Sequence, residues 1–267
     1  MIVNKMHAYG NDFCLISYEE NKNYEKLAKS ICNRRLGIGA QSLIVVKIKP
    51  DLEMFIYDNN GKKASMDTNA LLCFAKYVND YKLIRKKEFD VIFQSKKYGI
   101  EVTEDGYIIN MGIPNFNNSM LHISDSINSF GRVLRLDFTN SITIYSLCLG
   151  DVHTVILVDD FDAKIIDNVD LIINNLLFKN KTNVDFVKVI DKGNIIIKSY
   201  DKNNNYLLSS AAGAAAAVVV LNKLKMCFKN VNVSFELGDV KVELKKDKVY
   251  VKGNAIKVFE CEYKEEN

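Results

Sequence analysis

Ser209-Ser210-Ala211-Ala212-Gly213-Ala214-Ala215-Ala216-Ala217-Val218-Val219-Val220-Leu221 is an apolar run of small side chains whose only polar side-chain atoms sit at its start. Alanine is the best helix former, and a serine oxygen accepts from the unpaired N–H groups of a first turn, so the run predicts a buried, serine-capped helix over 210–224. A second segment repeats the grammar. Met66-Asp67-Thr68-Asn69-Ala70-Leu71-Leu72-Cys73-Phe74-Ala75-Lys76-Tyr77-Val78 sets an aspartate cap before an apolar helix over 67–79. Each helix has a polar side chain at its positively polarised N-terminus, where anions are favoured.

The segments around the two helices read as strands. Residues 2–18 form a strand pair about the turn cluster Tyr9-Gly10-Asn11-Asp12, and Tyr24 to Asn33 is a short amphipathic helix with Leu27, Ile31 and Cys32 at helical spacing. Ser42 to Lys47 and Glu53 to Tyr57 are strands, closed by the turn Asp58-Asn59-Asn60-Gly61. Strands near 89–95, 98–103 and 106–111 follow the first buried helix. The second half repeats the order, with strands at 141–149 and 153–158, a helix over Ile165 to Leu177, and strands at 184–190 and 194–200. The turn-rich tract Asp201 to Asn205 leads to the alanine-rich helix, and strands at 231–236, 239–244, 248–252 and 255–263 end the chain.

This doubled order, with motifs spread along the chain, resembles the diaminopimelate epimerase family of pyridoxal-independent racemases. Tyr9-Gly10-Asn11-Asp12-Phe13 is similar to that family's opening GND motif, Arg34 to Ala40 to its RxxGIGAD segment, and Met54 to Gly61 to its strand and turn before the first helix. Leu149-Gly150-Asp151-Val152-His153 resembles GNPH, Thr182-Asn183-Val184-Asp185-Phe186 resembles TNVEF, and Gly253-Asn254-Ala255 with Val258-Phe259-Glu260 resembles the closing strand. The resemblance implies an α+β fold of two pseudo-symmetric halves, each a strongly curved, mainly antiparallel sheet around a central helix. The expected halves are residues 1–115 with the last strand, 253–267, and residues 116–252. It further implies that the two helix heads face one another around a substrate.

The departures from the family fall at the chemistry. There a cysteine heads each helix, in MCGNG and ACGTG, and the two thiols exchange a substrate's α-proton. Here the matching positions are Asp67 and Ser210. Aspartate at a helix N-terminus is expected to stay strongly acidic, and serine without an adjacent base is neither acid nor base at neutral pH. Both are, however, among the best N-cap residues, worth about 1 kcal/mol over alanine, so capping alone accounts for them. Ala70, Ala211 and Ala212 add methyl groups where the family has glycine or threonine, and Gln41-Ser42 departs from its Asp-Gly or Asp-Gln. Asn11, Asn69, Asn183 and His153 match positions that line the family's substrate pocket, although a turn or cap role serves each asparagine, and a structural hydrogen bond His153, equally well. Asp201-Lys202 stands where the family has Glu-Arg.

Composition limits the remaining choices. The 267 residues carry a net charge of +3 without a dense basic stripe, which argues against nucleic acid. No apolar run reaches the ~18 residues of a membrane helix, and Met1 leads directly into a strand, so the expected location is the cytoplasm. Cys14, Cys32, Cys73, Cys148, Cys227 and Cys261 lack paired spacing and read as buried free thiols, and His7, His122 and His153 form no metal-ligand pattern. The resemblance implies no cofactor. Three readings stand. One is a divergent isomerase acting on an amino acid or peptide residue, with Asp67 as a single base helped by His153 or Asp201, much as relatives similar to the phenazine-biosynthesis isomerase work without the cysteine pair. The second is an inactive homologue that binds a ligand or a protein partner, and the third a structural member of a complex, a second copy of the chain included.

Overall fold

The computed structural model describes residues 1–123, 129–136, 141–161 and 166–265. In chain order the elements are β1 (Ile2–Ala8), β2 (Asn11–Ser17), α1 (Tyr24–Ile31), β3 (Ser42–Lys47), β4 (Glu53–Asp58), α2 (Thr68–Asp80), β5 (Glu88–Phe93), β6 (Lys96–Thr103) and β7 (Gly106–Gly112). There follow α3 (Asn118–Leu121), β8 (Phe130–Arg135), β9 (Ser141–Leu149), β10 (Asp151–Leu157), α4 (Val169–Ile173), β11 (Asn183–Asp191), β12 (Asn194–Tyr200) and β13 (Tyr206–Leu207). The chain ends with α5 (Ala211–Lys223), β14 (Asn230–Phe235), β15 (Gly238–Lys245), β16 (Lys248–Gly253) and β17 (Ile256–Glu262). Two compact units result, Met1–Asn110 with Lys252–Asn267, and Met111–Val251.

The two units share one pairing grammar. In the first, β1 pairs antiparallel with β2, β2 parallel with β3, β3 antiparallel with β4, β4 parallel with β5, and β5 antiparallel with β6. In the second, β9, β10, β11, β12, β14 and β15 repeat the same sequence of antiparallel and parallel partners. Each parallel pair requires a crossover, and a helix supplies each one: α1 and α2 in the first unit, α4 and α5 in the second. The chain is therefore α+β, with two pseudo-symmetric halves.

Each central helix is buried on nearly every side, as a helix enclosed by strands must be. Helix α2 packs against β1, β2, β3, β6 and β17, and buries every residue from Thr68 to Ala75. Helix α5 packs against β9, β10, β11, β12 and β15, and leaves Ala212 and Asn222 partly open and Lys223 exposed. Its alanine wall lets the strands approach closely, which is why small side chains recur there. In the first unit, α1 lays Leu27, Ala28 and Ile31 against Leu43, Val45 and Tyr57.

Two sequence expectations are corrected here. The helix expected over Ile165 to Leu177 is a single 3-10 turn, Ile166–Asn168, followed by the five residues of α4, and Ile165 itself lies outside the described residues. Asn174 and Asn175 end it: the Asn175 side chain accepts from Leu177 N–H at 3.0 Å and the Asn174 amide donates to Asp170 O at 2.9 Å, drawing the backbone out of helix. Strands β8 and β13 and helix α3, none of them expected, complete the second unit. Among the described residues no helix is long and apolar enough to cross a membrane.

Candidate functional site

In the first unit the polar groups collect at the head of α2 and at the β1–β2 turn. Asp67 is extended and caps α2, its Oδ1 accepting from Asn69 N–H at 2.8 Å and Ala70 N–H at 3.4 Å. Burial pushes its carboxyl above the usual value, and the two N–H bonds offset this only in part. The helix N-terminus does not hold Asp67 at or below the ordinary carboxylate value: desolvation outweighs the N–H groups there, and the shift is upward. Asn69 is buried in the first turn, and Asn11 is buried at the start of β2, opposite Ala8.

Beside Asn11, Asp12 is a structural hub. Its carboxylate takes both Arg34 nitrogens, at 3.0 and 2.7 Å, the Lys5 ammonium at 2.6 Å, and Gln41 N–H at 3.1 Å, while Lys5 also donates to Gly39 O. Burial works against charge at Asp12, but Arg34 and Lys5 outweigh it and hold its pKa below the usual carboxylate value. Gly39 has φ +79°, a conformation glycine adopts freely. Lys5 and Arg34 thereby fasten the Arg34–Ala40 loop to the β1–β2 turn.

In the second unit Ser210 caps α5, its Oγ accepting from Gly213 N–H at 3.0 Å. Gly213 has a second reason to lack a side chain. A Cβ there would overlap Asp185 Oδ1, and would lie 2.8 Å from Asp185 Cγ and 2.9 Å from Ser210 Oγ. The Asp185 carboxylate and the Ser210 hydroxyl therefore converge on one point above the first turn of α5.

Asp185 is wholly buried on β11. Its Oδ2 meets His153 Nδ1 at 2.7 Å and its Oδ1 accepts from Ser199 Oγ at 2.6 Å. The parallel pairing of β10 with β11, His153 against Asn183 and Val155 against Asp185, brings the two together from 32 positions apart. Burial opposes a charged imidazole at His153. Asp185 more than compensates through charge and hydrogen bond, Asp151 adds to it, Lys202 subtracts, and the net pKa lies above the ordinary histidine value.

The remaining predicted residues are placed nearby or elsewhere. The Asn183 amide donates to Val152 O at 2.9 Å, and its oxygen accepts from Lys202 N–H at 3.2 Å, tying the start of β10 to the 201–205 turn. The Lys202 ammonium bonds Asp151 Oδ2 at 2.9 Å. Burial raises the Asp151 pKa, Lys202 overrides it, and the net shift is downward. Asp201 is not joined to His153. Its carboxylate is spent on its own turn, accepting from Asn203 N–H at 2.8 Å and from Asn205 N–H and Nδ2 at 2.9 Å. Asp185 was missed from the sequence, and its signal was a lone acid inside the apolar run Val184 to Val187. Among the described residues no group of three or more His, Cys, Asp or Glu could hold a metal ion.

The family whose model matches this chain, over residues 3–117 and 145–258, is diaminopimelate epimerase. The diaminopimelate epimerase of Caldanaerobacter subterraneus subsp. tengcongensis is 33% identical over 268 aligned residues, covering 97% of each chain. That of Alkaliphilus metalliredigens is 31% identical, covering 94% of this chain and 93% of its own. Among solved structures, a probable proline racemase from Agrobacterium radiobacter superposes with a TM-score of 0.70 at 10% identity, covering 98% of this chain and 92% of that one. A phenazine biosynthesis protein of the PhzF family from Enterococcus faecalis gives 0.68 at 11%, covering 97% of each chain. These two show a shared fold.

Proposed function

Since the chain belongs to the diaminopimelate epimerase family, we propose that it is an isomerase of the epimerase type that moves a proton on an amino acid or peptide residue without a cofactor, using Asp67 in place of a thiol. The observation that carries this reading is the Asp67 carboxylate, fixed at the head of α2 by two N–H groups and made more basic by burial. A general base works best when its pKa approaches the operating pH, and desolvation moves a carboxylate in that direction. In the proposed step Asp67 takes the hydrogen on the carbon next to a carbonyl. The C–H electron pair passes into an enolate, and a proton then returns to the opposite face or to a conjugated carbon. Diaminopimelate itself is not the expected substrate, because neither position 67 nor position 210 carries a thiol and Ala70, Ala211 and Ala212 fill space at the helix heads.

The test is solvent exchange. Wild-type protein is incubated in heavy water with amino acids and with peptides blocked at the carboxyl end, and α-hydrogen loss is followed by proton NMR. Deuterium incorporation that Asp67→Asn abolishes supports the reading. Exchange that survives Asp67→Asn removes Asp67 as the base, and no exchange in wild type on any substrate removes the reading and leaves a homologue that only binds.

A further inference from the structure

Unit two holds a deeply buried imidazole–carboxylate pair, and the proton transfer assigned to Asp67 makes no use of it. His153 and Asp185 are 3% and 0% exposed, joined at 2.7 Å, with the second carboxylate oxygen taken by Ser199. Buried ions of opposite sign offset part of each other's desolvation cost only when their geometry is good and their remaining hydrogen-bonding positions are filled, and here both carboxylate oxygens have close partners. We propose that Asp185 is the positioning residue of a fixed proton donor, holding His153 as an imidazolium with Nδ1–H turned to the carboxylate and Nε2–H left as the acidic position. This rests on the isomerase reading, which gives a fixed proton donor its use.

The electrostatics come from few groups. Neighbouring β9 sets Leu147 opposite His153, and α5, which packs on β10, brings one charged side chain, Lys223, in its last turn. Besides Asp185, Asp151 favours the cation and Lys202 opposes it, and those two are bonded to each other. Gly213 belongs to the device, since its missing side chain is the space into which Asp185 Oδ1 fits.

The experiment is a histidine titration on full-length, nitrogen-15-labelled protein, by correlating ring nitrogens with carbon-bound protons. The chain has three histidines, so His153→Gln assigns the signals. Wild-type His153 is expected to remain doubly protonated above the ordinary histidine value of ~6.5. In Asp185→Asn its midpoint should fall by about 1–3 units, the range for losing a close opposite charge. A wild-type midpoint at or below the ordinary value overturns the proposal, and needs no variant to fold. So does a folded Asp185→Asn protein whose His153 titrates as before. The exchange assay separates the two claims. Asp67-dependent exchange whose pH profile Asp185→Asn leaves unmoved overturns this inference alone. A high His153 midpoint that falls in Asp185→Asn, in a protein without exchange, upholds the fixed charge and sinks the isomerase reading.

Discussion

Replacing Gly213 by alanine sets two effects of known size against each other. Within a helix, glycine is about 1 kcal/mol worse than alanine, so propensity alone predicts a stabilised protein. The added methyl group would overlap Asp185 Oδ1 and crowd Asp185 Cγ at 2.8 Å and Ser210 Oγ at 2.9 Å. Overpacking of a tight site costs about 1–3 kcal/mol. The carboxylate cannot retreat freely, because it holds His153 at 2.7 Å and Ser199 at 2.6 Å, and a hydrogen bond to a charged group is worth about 1.5–3 kcal/mol. The steric and polar losses exceed the propensity gain, and a net destabilisation of about 2–4 kcal/mol is expected. In a chain of this length that is a fall of roughly 5–10 °C in Tm. Urea unfolding followed by circular dichroism measures it, with m unchanged from wild type. A Gly213→Ala protein as stable as wild type, or more so, would refute the reasoning, since it would mean that Asp185 does not press on the first turn of α5.

Four further outcomes follow from the same geometry. Ser210→Ala should cost about 1 kcal/mol by freeing Gly213 N–H, and Ser210→Gly only a few tenths, as judged from urea midpoints. Because the Asp67 pKa is raised in the folded state, its protonated form is favoured there. That contribution is complete below the ordinary value of 3.8 and is lost as pH rises through the shifted one, so Asp67→Asn, which keeps a cap, should flatten the stability profile over that interval. Asp12 has the opposite sign: its lowered pKa gives stability present above 3.8 and lost as pH falls through the folded value, and Asp12→Asn should erase that acid-side loss while costing about 1–3 kcal/mol at neutral pH. Asp67→Cys with Ser210→Cys should not turn over diaminopimelate, since Ala70, Ala211, Ala212 and Asp151 remain; a measurable rate in a chiral assay would show that only the thiols had been lost.

Much of the fold could be read because its punctuation is local. The caps Asp67 and Ser210 and the apolar runs behind them mark α2 and α5 within a few residues, and turn residues such as Asp58 to Gly61 mark strand ends. What could not be read depends on distant partners. No local pattern says that Asp185 meets His153, since only the parallel pairing of β10 and β11 makes them neighbours. The upward direction of the Asp67 shift is hidden for a similar reason: a helix N-terminus is visible in sequence, but the desolvation that outweighs it is set by strands from elsewhere in the chain. Asp201 resembled a catalytic acid by position, yet the asparagines that follow it claim its carboxylate.

Strand β17 pairs antiparallel with β1, from Ile2 against Glu262 to His7 against Ile256, and the amino group of Met1 donates to Tyr263 O across 262 positions. On the ribosome, therefore, β1 can pair early with β2 on one edge but waits about 250 residues for its partner on the other. Until then one edge of the first sheet offers unpaired N–H and C=O groups to any other nascent chain, whereas every strand that β9 to β15 require follows within the second unit itself. Vectorial synthesis thus favours completion of the later-made half first, and the earlier-made half can close only once β17 has been made.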